Sequence, residues 1–166
     1  MMKLKGEEKY FWWHFGHITD SKDIPTELPA FTSIDSLVDD EYIGMLAAKV
    51  SVVKYIYLKE TRITDEGVRL ISDFKQLKSL TLMKHENITK DCLPYLNKLT
   101  DLEYLDVWKT KIRLEDLGAL TNLKNLKELY VSPNDEEDES DRDTILEKII
   151  KAEETLPNCA IRTYYI

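Results

Sequence analysis

A hydrophobic pattern recurs through the middle of the chain at a nearly constant interval, and this constrains the fold more than any single residue does. Val53-x-x-Ile56-x-Leu58-x-x-Thr61-x-Ile63 returns as Leu77-x-x-Leu80-x-Leu82 with Ile88, then as Leu102-x-x-Leu105-x-Val107-x-x-Thr110-x-Ile112. A fourth copy, Leu126-x-x-Leu129-x-Val131, is cut off by Ser132-Pro133. The copies start 24, 25 and 24 residues apart. A fixed interval of this size describes a unit that cannot bury its apolar side alone and must stack on its neighbours.

Each unit divides into two halves. In the first, Ile56 and Leu58 alternate with Tyr55 and Tyr57, so a strand there puts the aliphatic pair on one face and the tyrosines on the other. In the second half, Val68, Leu70 or Ile71, and Phe74 have helical spacing. Thr64 is the expected helix N-cap, with Asp65 and Glu66 where the helix dipole favours negative charge. Glu86 and Asn87 add one residue to the second copy, which predicts a bulge before Ile88.

On these residues the chain resembles the leucine-rich repeat family. The Thr64-Asp65-Glu66-Gly67 turn is similar to that of the bacterial and F-box-associated branches, with Thr61 and Thr110 where many relatives carry Asn or Cys. The resemblance implies an α/β leucine-rich repeat solenoid that is right-handed, with parallel strands on a concave face and helices on a convex one. It also implies a protein-binding role without naming the partner.

The pattern extends outward in weaker form. Leu28-x-x-Phe31-x-Ser33, followed by Asp39-Asp40-Glu41-Tyr42-Ile43 and Leu46, is a worn copy over residues 28–52. Before it, Phe11-x-Trp13-x-x-Gly16-x-Ile18 is too closely spaced for another copy, and residues 1–27 read as an N-terminal cap strand on which Trp12 and Trp13 cannot both be core. After the clear repeats of 53–133 comes an acidic insert, 134–143, and then a C-terminal cap, 144–166. In that cap Thr144-x-x-Glu147 is a capping box opening a helix that Pro157 stops. Leu156-Pro157-Asn158-Cys159-Ala160-Ile161, similar to the ending of many bacterial members, leads into a last strand from Arg162 to Ile166. The whole chain reads as one domain.

Charge and composition exclude several functions. Of the formal net charge of −8, Asn134 to Asp143 supplies −6, so the acidity is local. This insert is either a solvated, mobile loop or a docking feature for a basic partner. Ser140 and Leu146 stand where a calcium loop from Asp135 needs Gly and Glu, which argues against calcium. The acidic balance and the lack of a basic stripe argue against nucleic acid. No apolar run is long enough for a membrane span or secretory signal, so the expected location is cytoplasmic. Cys92 and Cys159 fall in separate units, which fits a reducing compartment, and Cys92 takes the small buried slot of Gly67. His14, His17 and His85 sit in no nucleophile or metal motif, and no glycine-rich phosphate loop is present. No enzymatic activity, cofactor or metal is expected.

What remains is the free face of the strands. The candidate protein-binding residues are Tyr55, Tyr57, Met83, Tyr104, Asp106, Trp108 and Tyr130, rimmed by Lys54, Lys78, Lys84, Lys109 and Lys127. Tyrosine and tryptophan dominate interface hot spots, while the alternative is that these rings only pack strand against strand. About six strands give a face that, with side chains, approaches the roughly 800 Å² one side of a standard interface buries. The expected function is therefore a monomeric protein-binding module that acts by occupying its partner, as an immunity protein does when it blocks a toxin or effector. The alternative is an adaptor or substrate-recognition protein of the F-box-associated type, although no F-box-like helical segment precedes the repeats.

Overall fold

The computed structural model describes residues 3–133 and 142–163. Six strands, β1 (Glu27–Ile34), β2 (Val52–Lys59), β3 (Ser79–Met83), β4 (Tyr104–Asp106), β5 (Glu128–Tyr130) and β6 (Ala160–Arg162), form one sheet. They lie in chain order and every neighbouring pair is parallel. Helix α1 (Gly6–Gly16) precedes them, and α2 (Asp40–Ala47), α3 (Asp65–Ile71), α4 (Leu93–Leu96), a 3-10 turn (Leu114–Ala119) and α5 (Arg142–Thr155) connect successive strands. The class is α/β.

The register follows the sequence interval. Phe31, Ile56, Leu80, Leu105, Leu129 and Ile161 stand side by side on the six strands, and all are buried. Leu58 pairs with Leu82, and Val107 and Val131, just beyond their strands, are likewise buried. Because side chains alternate along a strand, a slip of one residue would turn each of these to the opposite face. Burial of two aliphatic columns therefore fixes the register of the whole sheet.

The first four strands end in the same corner. Asp35, Glu60, Lys84 and Lys109 all have left-handed backbone conformation, with φ of 47°, 53°, 58° and 55°. A non-glycine residue enters this region at some cost, so the turn is held by what surrounds it. Beyond the corner, a carboxylate joins consecutive helix starts. Asp40 accepts hydrogen bonds from the Thr64 N–H (2.9 Å) and hydroxyl (2.6 Å), and Asp65 does the same for Thr89 (both 2.7 Å). Thr64 and Thr89 in turn cap their own helical segments by accepting from Glu66 N–H and Asp91 N–H. At Gly67 a Cβ would meet the Asp40 carboxylate at 2.4 Å and the Ile63 side chain at 3.0 Å, although the equivalent slot beside the second latch holds Cys92. Cys92, in the equivalent slot, is fully buried, and burial followed by the Asp65 carboxylate pushes its thiol well above the ordinary range. It is protonated packing.

The helical segments shorten along the chain, from 8 residues in α2 to 7 in α3 and 4 in α4. Pro94 in the first turn of α4 removes an N–H that a longer run would use. After α4 only a 3-10 turn remains, until α5 restores 14 residues of helix.

Four details depart from the sequence expectations. The N-terminal cap strand is instead a helix, α1, with Glu7 and Glu8 in its first turn and His17 closing it in left-handed conformation. Helical spacing brings Phe11 and Phe15 to one side, where they meet Tyr42 and Phe31, while Trp12 is fully buried and Trp13 points out. The extra residue of the second copy forms a turn closed by Ile88 N–H onto the His85 carbonyl, rather than a strand bulge. The last helix begins at Arg142, so Thr144 lies inside it and is not its cap. The last strand begins at Ala160, ahead of the expected Arg162. Residues 134–141 of the acidic insert and 164–166 of the final strand lie outside the described residues.

Candidate functional site

The strands carry Tyr55, Tyr57, Met83, Tyr104, Asp106 and Tyr130 on the face opposite the aliphatic columns, and Trp108 follows in the turn after β4. One row across it runs Ala30, Tyr55, Ser79, Tyr104, Glu128 and Ala160; the next runs Thr32, Tyr57, Thr81, Asp106, Tyr130 and Arg162. Met83 follows Thr81 by two residues and Trp108 follows Asp106 by two, and the Lys84 N–H donates to the Trp108 carbonyl (2.9 Å). Six of the seven candidates therefore share one side of the sheet, and Trp108 lies in the turn that follows β4. They do not form one continuous patch.

Tyr55 and Tyr57 stand in solvent, 53% and 37% exposed, with the Tyr57 hydroxyl 3.8 Å from the Met83 sulfur. Two and three strands on, Tyr104 and Tyr130 contact each other (ring centroids 5.7 Å apart) and are only partly exposed. At the end of β4, two residues after Tyr104 and two before Trp108, and beside Tyr130 on the next strand, lies Asp106, which is 1% exposed. Its carboxylate accepts from the Trp108 N–H (2.9 Å), a local turn that sets the direction of the tryptophan. Burial, then the neighbouring Asp106, pushes the Tyr104 phenol well above its ordinary range. Asp106 thus acts beneath the surface by shaping it.

The lysine rim is less cationic than its sequence. Lys84 pairs with Glu60 at 2.6 Å, and Lys78 (3.4 Å) and Lys127 (2.5 Å) share Glu103. Hydrogen bonds from these lysines hold both carboxyls below the usual range. Lys109 lies over the Trp108 ring, 4.9 Å from its centroid, a cation–π contact that covers part of the indole. Such exposed pairs fix side chains in place more than they stabilise the fold.

The pairing of Glu128, itself an outward position of the repeat, with Arg162 and the role of His85 were not evident from sequence. Glu128 accepts from the Tyr130 hydroxyl (2.7 Å) and from Arg162 Nε (2.8 Å), which closes the far end of the face. Arg162 comes from the last strand, 34 residues later, and nothing local signals that pairing. His85, buried in the position of Thr61 and Thr110, accepts from the Thr61 N–H at Nε2 (3.1 Å) and meets its hydroxyl at 2.8 Å. The Thr-x-Ile spacing of the neighbouring copies was the available clue to that substitution.

A hollow of about 490 Å³, open to solvent, is lined by Gly6, Lys9, Tyr10, Trp13 and Thr19 on and beside α1. Among the described residues no three His, Cys, Asp or Glu side chains converge as a metal site would require. No helix among them is long and apolar enough to cross a membrane. No protein-family model matches the chain, and no curated protein is significantly similar to it.

Proposed function

We propose that the chain is a right-handed leucine-rich repeat solenoid, concave on the strand side, that binds another protein through the open face of its sheet. The observation that carries this reading is the exposure of Tyr55 and Tyr57 on a strand that buries Ile56 and Leu58 on its other face. Large rings held in solvent by a rigid strand lose little freedom on binding, and rings of this kind supply most interface energy. In this reading the protein acts by occupancy, as an immunity protein blocking a toxin or effector would. Its two cysteines, both free and buried, suit a reducing cytoplasm.

The test is calorimetric, using a co-purified partner. Tyr57→Ala and Trp108→Ala should each weaken the complex by about 2 kcal/mol or more, while Lys75→Ala outside the face should not. Full affinity in a Tyr57→Ala, Trp108→Ala double variant would move the binding site elsewhere.

A further inference from the structure

The sheet has two edges, and they are unlike. β6 offers three residues, Ala160–Arg162, whereas β1 offers eight, Glu27–Ile34. Among the described residues, no backbone group of β1 bonds to anything but β2.

The outward groups can be identified. Alternate residues of a strand in a parallel ladder bond to opposite neighbours. Asp35 N–H donates to the Lys59 carbonyl at 2.9 Å, as Glu60 N–H does to Met83 one strand later. Phe31 and Ser33, in step with Asp35, therefore face β2, and Ala30, Thr32 and Ile34 turn their N–H and C=O groups outward. All three are exposed. Pro29 agrees with this, since it occupies the position at which Lys78 N–H reaches back to the Lys54 carbonyl (2.8 Å) on the preceding strand. With no strand before β1, that donor is not needed, and proline is tolerated at such an edge.

Three further features describe what would fit. Ala30 and Thr32 are short and lie beside Tyr55 and Tyr57, so the two rings stand above a step that descends to the edge. Ile34 and Leu37, 53% and 71% exposed, continue the apolar surface at one end. Glu27 and Asp35 lie exposed at the two ends of the strand, and neither makes an ion pair among the described residues.

We propose that the outer edge of β1 docks an extended segment of another protein, which adds as a further strand on Ala30, Thr32 and Ile34. The segment carries bulky apolar side chains at alternate positions, to cross the step onto Tyr55 and Tyr57, and basic residues at its ends, to meet Glu27 and Asp35. Main-chain hydrogen bonds supply affinity in such strand addition, and alternate side chains supply specificity. A second copy is the poorer occupant. Antiparallel pairing centred on Phe31 would set Glu27 against Asp35 twice, like charge facing like charge. The inference rests on the reading of the open face for the contact with Tyr55 and Tyr57, whereas the backbone pairing on Ala30, Thr32 and Ile34 is tested apart from it.

The experiment selects phage-displayed random peptides of about twelve residues on the full chain, then makes the enriched sequences synthetically for calorimetry and amide exchange. Enriched peptides should alternate bulky apolar and polar residues between basic ends, and should slow exchange at Ala30, Thr32 and Ile34. Thr32→Pro, which removes the central outward N–H, should weaken binding about tenfold or more. A Glu27→Lys, Asp35→Lys double variant, which leaves the backbone intact, should weaken it by a similar factor. Failure to enrich any peptide, or equal binding by both variants, would overturn the proposal. Self-association in sedimentation that Thr32→Pro abolishes would also overturn it, by making a second copy the occupant. Loss of affinity in Tyr57→Ala and Trp108→Ala alone, with the edge variants unaffected, would leave the open-face reading standing without this one.

Discussion

Tyr55 and Tyr57 on β2 occupy the same outward rows as Tyr104 on β4 and Tyr130 on β5, yet the first pair stands in solvent and the second is partly covered. The neighbours make the difference. Beside β2 lie Ala30, Thr32, Ser79 and Thr81, whose short side chains leave the rings uncovered. Beside β4 and β5 the tyrosines meet each other, with Glu128 and Arg162 pairing at the end and Asp106 buried between them. One rule of alternation thus yields an accessible region and a consolidated one, and direction along a strand does not determine exposure.

Breaking what the two regions share should have the largest effect. Leu105→Ala, in the fully buried column that runs beneath both, should cost about 2–5 kcal/mol in urea unfolding. The transition should remain single for every probe. Separate transitions for the two ends would mean that they are independent structures and not contrasting parts of one.

A smaller effect separates the ends by their latches. Asp65→Ala leaves the Thr89 N–H and hydroxyl without their acceptor and should cost about 1–3 kcal/mol. Lys90→Ala, at the position where the next carboxylate would stand, should change stability by less than about 0.5 kcal/mol. Equal costs would show that the carboxylates are not what joins these helix starts.

The tyrosines themselves sharpen the comparison. Tyr104→Ala should destabilise by about 1–2 kcal/mol through lost ring packing, whereas Tyr55→Ala should stay within about 0.5 kcal/mol. Paired thermal melts would decide it, and the reverse order would reassign which region is accessible.

The smallest effect is one of pH. Burial holds the folded His85 below its ordinary value, only partly offset by the Leu82 carbonyl and by Glu60, and Thr61 N–H donation to Nε2 requires the neutral ring. The unfolded chain takes up its proton near 6.5, before the folded chain does. Stability from this site is therefore complete above that pH and declines below it. His85→Thr, the residue of the neighbouring turns, should flatten the acid side of a plot of melting temperature against pH. An unchanged slope would assign the effect to another group.

The sequence made the register legible because two signals coincide: alternation within a strand and an interval of 24 or 25 residues between strands. For the same reason Tyr55, Tyr57, Met83, Tyr104, Asp106 and Tyr130 fall on one face, whereas Trp108 lies in the turn beyond β4. The sequence misread the first helix, because Phe11-x-Trp13 imitates a strand when its partners are unknown; Tyr42 and Phe31 make the helical face worthwhile, and both are distant in the chain. Burial of Asp106, pairing of the lysine rim and the latch from Asp40 to Thr64 all join residues of different units. Local pattern carries no record of such contacts.

The carboxylate latches have a mechanical consequence. They fasten α2 to the turn at Thr64 and α3 to the turn at Thr89, and the series stops at Lys90. Pulled from both ends, the chain would yield like a partly riveted strip, with the coils after β4 peeling away while the riveted ones keep their shape. The riveted stretch contains Tyr55, Tyr57 and the strand beside the open edge. A partner seated there would hold the segment that is last to let go.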